Sequence, residues 1–164
     1  MRPSRFLWCG LILLALAPLA VAFGQVPEQA VQVEGRLDGI FARTAGIEAG
    51  LGLSFPSGIY VRSGLVAGLG AGRHGVEGRT DFVARFSFDP FRQSRWAPYA
   101  GGGVSGRYRS SLDGGSRAYL LILLGVEGPL PRGRTEGWAP AVEVGLGGGA
   151  RIAIVIRRGI NSRR

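Results

Sequence analysis

The chain has 164 residues, a formal net charge of +9 and no lysine, so that all 20 basic residues are arginine. This length accommodates one domain of about eight short strands but not a second, and a lone cysteine, Cys9, excludes an internal disulfide framework and thiolate metal clusters. Nucleic-acid binding is disfavoured because the arginines form no basic stripe interleaved with aromatics: Arg157, Arg158, Arg163 and Arg164 crowd the C-terminus, and most others recur on the polar side of alternating segments, near acidic residues.

Residues 1–22 read as a signal peptide. Arg2 and Arg5 precede an apolar core from Phe6 to Leu19, and Ala20-Val21-Ala22 supplies the small residues of a cleavage site after Ala22. A retained membrane anchor is disfavoured because Pro18 interrupts a stretch already short for a span. Cys9 stands at the start of the apolar core, not at a lipoprotein cleavage point, and is discarded with the signal. Loss of Arg2 and Arg5 lowers the charge from +9 to +7, of which the terminal RRGINSRR carries +4. The expected organisation is a signal peptide at 1–22, a barrel domain at 23–158 and a basic tail at 159–164.

Beyond the signal, hydrophobic residues alternate instead of running together. The spacing predicts strands over Val31–Ala42, Gly46–Phe55, Gly58–Ala71, Arg79–Asp89, Ala97–Tyr108, Ser116–Glu127, Ala139–Gly147 and Ala150–Arg157. The first is the weakest, because its alternation slips at Gly39-Ile40. In the second, Ile47, Ala49, Leu51, Leu53 and Phe55 share one face, opposite Gly46, Glu48, Gly50, Gly52 and Ser54. In the fourth, Phe82, Ala84, Phe86 and Phe88 oppose Asp81, Arg85, Ser87 and Asp89. Pro56-Ser57 reads as a tight link, Gly72–Gly78 and Arg109–Gly115 as longer polar loops, and Gly148-Gly149 as a two-residue hairpin. The run Leu120–Leu124 is too short to cross a bilayer as a helix and reads as a strand.

WAPYAGGGVSG at Trp96–Gly106 is echoed by WAPAVEVGLGGG at Trp138–Gly149. Proline cannot donate to a ladder and suits the start of a strand, while tryptophan just before it suits a lipid–water boundary. If successive strands run up and down, Phe55, Phe88, Phe91, Trp96 and Trp138 fall at one end and form an aromatic girdle, with Tyr108 the best candidate at the other.

Alternation does not say which face is inside. Glycine does: the polar face holds Gly50, Gly52, Gly64, Gly68, Gly70, Gly101, Gly103, Gly125, Gly145 and Gly147, where a water-facing strand would use Thr, Ser, Lys or Glu. Inside a narrow barrel, glycine makes room for large inward side chains, here Tyr60, Tyr99, Tyr119, Arg62, Arg85 and Arg107. Glu48, Asp81, Asp89, Glu127 and Glu143 share their face. The expected interior charge network is Glu48, Arg62, Asp81, Arg85, Arg107, Glu127 and Glu143, with Glu48 and Glu143 as candidate partners of Arg85, since pairing is what makes buried charge tolerable; snorkelling of some of these groups to the rims is the alternative. The fold class expected is all-β: a single antiparallel up-and-down transmembrane barrel.

With its strand opening at Pro98-Tyr99-Ala100-Gly101-Gly102-Gly103, the chain resembles the small bacterial outer-membrane β-barrels of the OmpA/OmpX kind. The likeness is one of pattern over nearly all of the mature chain. It implies location in the outer membrane, insertion by the barrel assembly machinery, contact with outer-membrane lipid, short periplasmic turns and longer outer loops. Members commonly end in an aromatic residue, whereas this sequence ends Asn161-Ser162-Arg163-Arg164, and its longest turn, Gly128–Gly137, falls on the periplasmic side. Both departures bear on orientation more than on fold.

Catalytic signals are sparse. His74 is the only histidine and has no nucleophile motif beside it. One histidine with scattered carboxylates makes no metal-ligand spacing. The runs Gly101–Gly103 and Gly147–Gly149 lack the Lys-Ser/Thr and following helix of a phosphate loop. The expectation is a monomeric, non-enzymatic barrel with a structural or adhesive role, no open pore, no cofactor and no nucleic-acid partner. Two alternatives are a lipid-modifying enzyme of the lipid A deacylase kind using His74, and a secreted soluble barrel binding a small apolar ligand.

Overall fold

A computed structural model describes residues 31–42, 45–72, 75–109, 115–129 and 137–160. The signal peptide with Cys9, the loop residue His74 and the last four residues lie outside the described residues. Eight strands follow one another: β1 (Val31–Phe41), β2 (Ala45–Pro56), β3 (Val61–Gly72), β4 (Gly75–Ser87), β5 (Ala97–Arg109), β6 (Ser116–Glu127), β7 (Trp138–Leu146) and β8 (Ala150–Ile160). Each pairs antiparallel with its chain neighbours, and β1 pairs with β8, closing an up-and-down barrel in which every strand has a neighbour on both sides.

The two-residue period decides the facing of every strand. Leu37, Leu51, Leu65, Phe82, Val104, Leu120, Val142 and Ile154, one from each strand, are exposed on the outside. Glu34, Glu48, Asp81, Arg85, Glu127, Glu143 and Arg157 are buried within. This inverts the soluble pattern, as the glycine placement requires. Gly103 shows why: a Cβ there would stand 1.9 Å from the Phe82 carbonyl oxygen, and at Gly125 it would stand 2.3 Å from the Tyr99 ring. The first glycine lets two backbones approach; the second leaves space for an inward tyrosine.

Several boundaries differ from expectation. β1 does not slip at Gly39-Ile40: Gly39 faces Ile47 and Ile152 across its two ladders, while Ile40 points inward, 2% exposed, and Phe41 outward. An apolar residue on the inner face disguised a continuous strand. The expected polar loop at Gly72–Gly78 is instead a tight hairpin with Gly72 opposite Gly75; Val76 and Glu77 continue the alternation as wall residues. β3 begins at Val61, because the Ser57 N–H donates to the Val61 carbonyl at 2.9 Å and Ser57–Tyr60 form the turn. Tyr60, expected inside, is exposed and stacks on the outward Phe86 at 5.6 Å between ring centroids. The last connection spans three residues, Gly147–Gly149, with φ of 74° at Gly148 and 152° at Gly149, a region that glycine adopts without a Cβ penalty. β8 reaches Ile160, two residues past the expected barrel limit at 158.

The barrel has a terminal end, where Val31 faces Ile160, and a distal end, where Phe41 faces Ala150. The longer connections, 88–96 and 128–137, are at the terminal end; the distal end carries 42–44, 73–74, 110–115 and 147–149. With the termini in the periplasm, this is the reverse of the short-turn and long-loop pattern that the resemblance implies. Phe55, Phe88, Phe91, Trp96 and Trp138 are all exposed at the terminal end, with Phe88 edge-on to Phe86 at 5.5 Å. Phe41 joins Tyr108 at the distal end. The two Trp-Ala-Pro copies act alike: the Phe88 N–H donates to the Pro98 carbonyl at 3.0 Å and the Gly128 N–H to the Pro140 carbonyl at 2.7 Å, fastening the exit of β4 to β5 and that of β6 to β7.

Candidate functional site: the charged lumen

All eight strands send charged side chains inward, and ion pairing links most of them into two groups. The distal group is built on two like-charge register pairs. Asp38 of β1 faces Glu48 of β2, and Arg79 of β4 faces Arg107 of β5. Either pair alone would be repulsive. Across the lumen each neutralises the other: Arg79 lies 2.7 Å from Asp38 and 3.0 Å from Glu48, and Arg107 lies 2.8 Å from Glu48 and from Glu77. Arg151 holds Asp81 at 2.9 Å, and Arg109 reaches Glu77 at 2.9 Å. The formal charges of these eight groups balance.

The terminal group centres on Arg157. Its guanidinium meets Glu34 at 3.0 Å and Glu127 at 3.1 Å, pairs with Glu143, and lies over the Tyr99 ring, 4.8 Å from its centroid. The Tyr99 hydroxyl donates to Glu143 at 2.8 Å. Arg85 reaches Glu34 at 2.9 Å and Glu143 at 3.3 Å. Arg36 bridges the two groups, with a two-pronged contact to Asp38 at 2.7 and 2.8 Å and another to Glu143 at 2.9 Å. Arg62 sits opposite Arg85 on the β3–β4 ladder. At the mouth, Arg92 of the β4–β5 connection bonds Glu127, its backbone held at a positive φ of 50°. Asp89 sets that loop: its carboxylate accepts the Gln93 and Ser94 amides at 2.9 and 2.7 Å, which holds its pKa below the ordinary carboxylate value.

Of the residues expected in the network, Glu48 and Arg107 enter the distal group with Asp81; Arg62, Arg85, Glu127 and Glu143 are in the terminal one. Glu143 contacts Arg85 as anticipated, but Glu48 does not: its partners are Arg79 and Arg107. The sequence reading missed Glu34, Arg36, Asp38, Glu77, Arg79, Arg92, Arg109, Arg151 and Arg157. Glu34-x-Arg36-x-Asp38 and Arg151-x-x-x-x-x-Arg157 keep one parity, a signal present in the sequence; Arg157, the last residue of the predicted eighth strand, was counted only with the C-terminal arginines.

Between the groups, Val66, Val83, Leu121, Leu123, Ala141, Ala153 and Val155 fill the inner wall. A void of about 10 Å³ remains in mid-barrel, bounded by Arg36, Arg85 and Glu143 and by Val66, Val83, Leu121, Leu123 and Ala153 among others. A larger cavity of about 270 Å³ opens at the terminal mouth, lined by Arg62, Arg85, Arg92, Arg157, Glu127 and Tyr99, among others. Among the described residues, no group of three His, Cys, Asp or Glu is disposed to hold a metal ion.

No family model and no curated protein sequence matches the chain. Among solved structures, the N-terminal β-barrel domain of Pseudomonas aeruginosa OprF aligns with a TM-score of 0.59 at 14% identity, over 81% of this chain and 98% of that one. Neisserial surface protein A aligns with a TM-score of 0.58 at 11% identity, over 82% and 98%. The chain has the closed eight-stranded barrel fold that it shares with these two proteins.

Proposed function

We propose that this protein is a structural component of the bacterial outer membrane, exported by its signal peptide, monomeric, without an open pore and without enzymatic activity. The observation that carries the reading is the inverted distribution of polarity: an apolar exterior on all eight strands, charged among the described strand residues only by Arg158 at the terminal rim, around a lumen laced by ion pairs. In water such an exterior would be an aggregation surface; in hydrocarbon it is the required one, and closure gives every strand a hydrogen-bonded neighbour on both sides. The aromatic end, with Trp96, Trp138, Phe88 and Tyr60, suits the membrane–water interface. Filling of the mid-barrel around a void of about 10 Å³ supports the absence of a pore. A structural role is favoured over adhesion because three of the four distal connections span only two or three residues, leaving little surface for a partner outside the membrane. Cell fractionation with gel mobility before and after heating tests the placement: an outer-membrane fraction and a heat-shifted band are expected. Steady porin-like currents in planar bilayers would overturn the closed lumen.

A further inference from the structure

We propose that a groove on the outer wall holds one acyl chain of an anionic phospholipid whose phosphate sits at the distal rim, an inference that rests on the outer-membrane placement above. The groove encloses about 800 Å³ and crosses the wall from β2 to β6. Its floor is the register row Ala67, Thr80 and Gly106, with Gly78 beside it, and Leu69 and Tyr108 stand along one side. The next row, Leu65, Phe82, Val104 and Leu120, forms the other side, and all four are exposed. The floor is low because its glycines face open space: the nearest atom to a Cβ would be 3.5 Å away at Gly78 and 3.7 Å away at Gly106.

The course of the groove selects its occupant. One end opens at Ser116, the first residue of β6, and the other is stopped by Leu51 in the middle of β2. It therefore descends obliquely from the water boundary into the hydrocarbon, as register rows of a tilted sheet do, and a lipid chain with its headgroup at the interface follows the same path. The open end is cationic. Arg117 is exposed beside Ser116, and no carboxylate among the described residues pairs with it, whereas its register partner Arg107 is taken by Glu48 and Glu77, and Arg109 by Glu77. Such a guanidinium is matched to phosphate oxygens. On the floor, the exposed Thr80 hydroxyl has no hydrogen-bond partner among the described residues; in hydrocarbon that is costly, and a lipid ester carbonyl accepts the bond. A second barrel set against this wall would instead cover Arg117 and Thr80 with apolar side chains, since the rest of the wall is apolar.

Native mass spectrometry of the full barrel, released from uncharged detergent, compares phosphatidylglycerol with phosphatidylcholine of the same chains. One retained phosphatidylglycerol per barrel is expected, with phosphatidylcholine held about tenfold more weakly. Gly106→Leu fills the floor and should abolish retention of both lipids, Arg117→Gln should remove the preference for phosphatidylglycerol alone, and Ile154→Ala on the far wall should change nothing. Equal retention in all variants means annular lipid only and overturns the groove, and a preference that survives Arg117→Gln overturns the headgroup assignment. A dimer that Gly106→Leu abolishes overturns the lipid and makes the groove an interface between copies. Insertion into vesicles, measured in parallel, separates the two readings: a barrel that inserts but retains no lipid rejects the groove alone, and one that does not insert rejects the membrane placement with it. Heat-modifiable mobility establishes that each variant folds, and Ala67→Leu on the same floor keeps the test available if Gly106→Leu does not.

Discussion

Asp38 and Glu48 are register partners on β1 and β2, two buried carboxylates side by side, and Arg79 from β4 lies within 3.0 Å of both. Removing that guanidinium leaves two like charges facing each other away from water, offset only by Arg36 on Asp38 and Arg107 on Glu48. Arg79→Ala should therefore destabilise the barrel by up to about 3–5 kcal/mol, the scale for a fully stranded buried charge, because Asp38 and Glu48 each keep one other guanidinium. Adding Glu48→Gln should recover a large part of the loss. Urea unfolding of the three variants in lipid vesicles measures it, and additive effects would mean that the three groups do not act together.

Arg85 makes a sharper test of register. Its contacts are Glu34 and Glu143. In double-mutant cycles, Arg85→Ala should couple to Glu34→Gln and to Glu143→Gln by about 0.5–3 kcal/mol, and to Glu48→Gln by much less. Coupling to Glu48 alone would contradict the arrangement of the lumen.

Arginine placed on the outer wall reports its depth. At Leu120 and Ile122, in the middle of β6, it should cost about 2–4 kcal/mol, the range for a midplane position. Leu53 should fall at or below that range. Phe86 packs with Tyr60 and Phe88 at the aromatic end, and Phe86→Arg should cost only about 0–1 kcal/mol in electrostatic terms, plus the lost ring contacts. Unfolding titrations that show no cost at any position would remove the membrane assignment.

Two glycines of β5 separate backbone approach from mere wall curvature. A Cβ on Gly103 would collide with the Phe82 carbonyl, whereas at Gly106 its nearest neighbour is 3.7 Å away. Gly103→Ala should cost about 1–3 kcal/mol by overpacking, while Gly106→Ala should be close to neutral. The temperature at which each variant loses its folded gel mobility gives the comparison.

Asp89 gives a pH signature confined to the terminal loop. Its folded pKa is depressed by the amides of Ser94 and Gln93. A depressed carboxylate contributes order that is present above its unfolded pKa and is lost as pH falls through the lower folded value. Amide exchange at Gln93 and Ser94, corrected for the intrinsic pH dependence of exchange, should thus be protected near neutrality and lose protection in strong acid. Asp89→Asn should show weakened protection at every pH, and pH-independent protection in the parent chain would exclude the carboxylate as the anchor.

Facing was legible because it is local. The alternation of Phe82, Ala84 and Phe86 against Asp81 and Arg85 follows from the geometry of one extended segment, and glycine beside inward tyrosine told which side was crowded. Strand limits failed where a local cue had two meanings: Gly72, Gly75 and Gly78 read as a loop because glycine marks both turns and tightly packed wall, and Ile40 read as a slip because an inner face can hold an apolar residue.

By itself, then, the sequence determined the barrel and the inside-out distribution of polarity, both consequences of a two-residue period, while the exact strand count, seven or eight by pattern, was decided by the pairing of β1 with β8. The partners of each charge were decided by tertiary structure alone. Arg157 is 123 residues from Glu34 in the chain yet adjacent to it on the β8–β1 ladder, the one seam that closure creates. Contacts across the lumen depend on how the stagger of all eight strands accumulates around the ring, and no single segment carries that quantity.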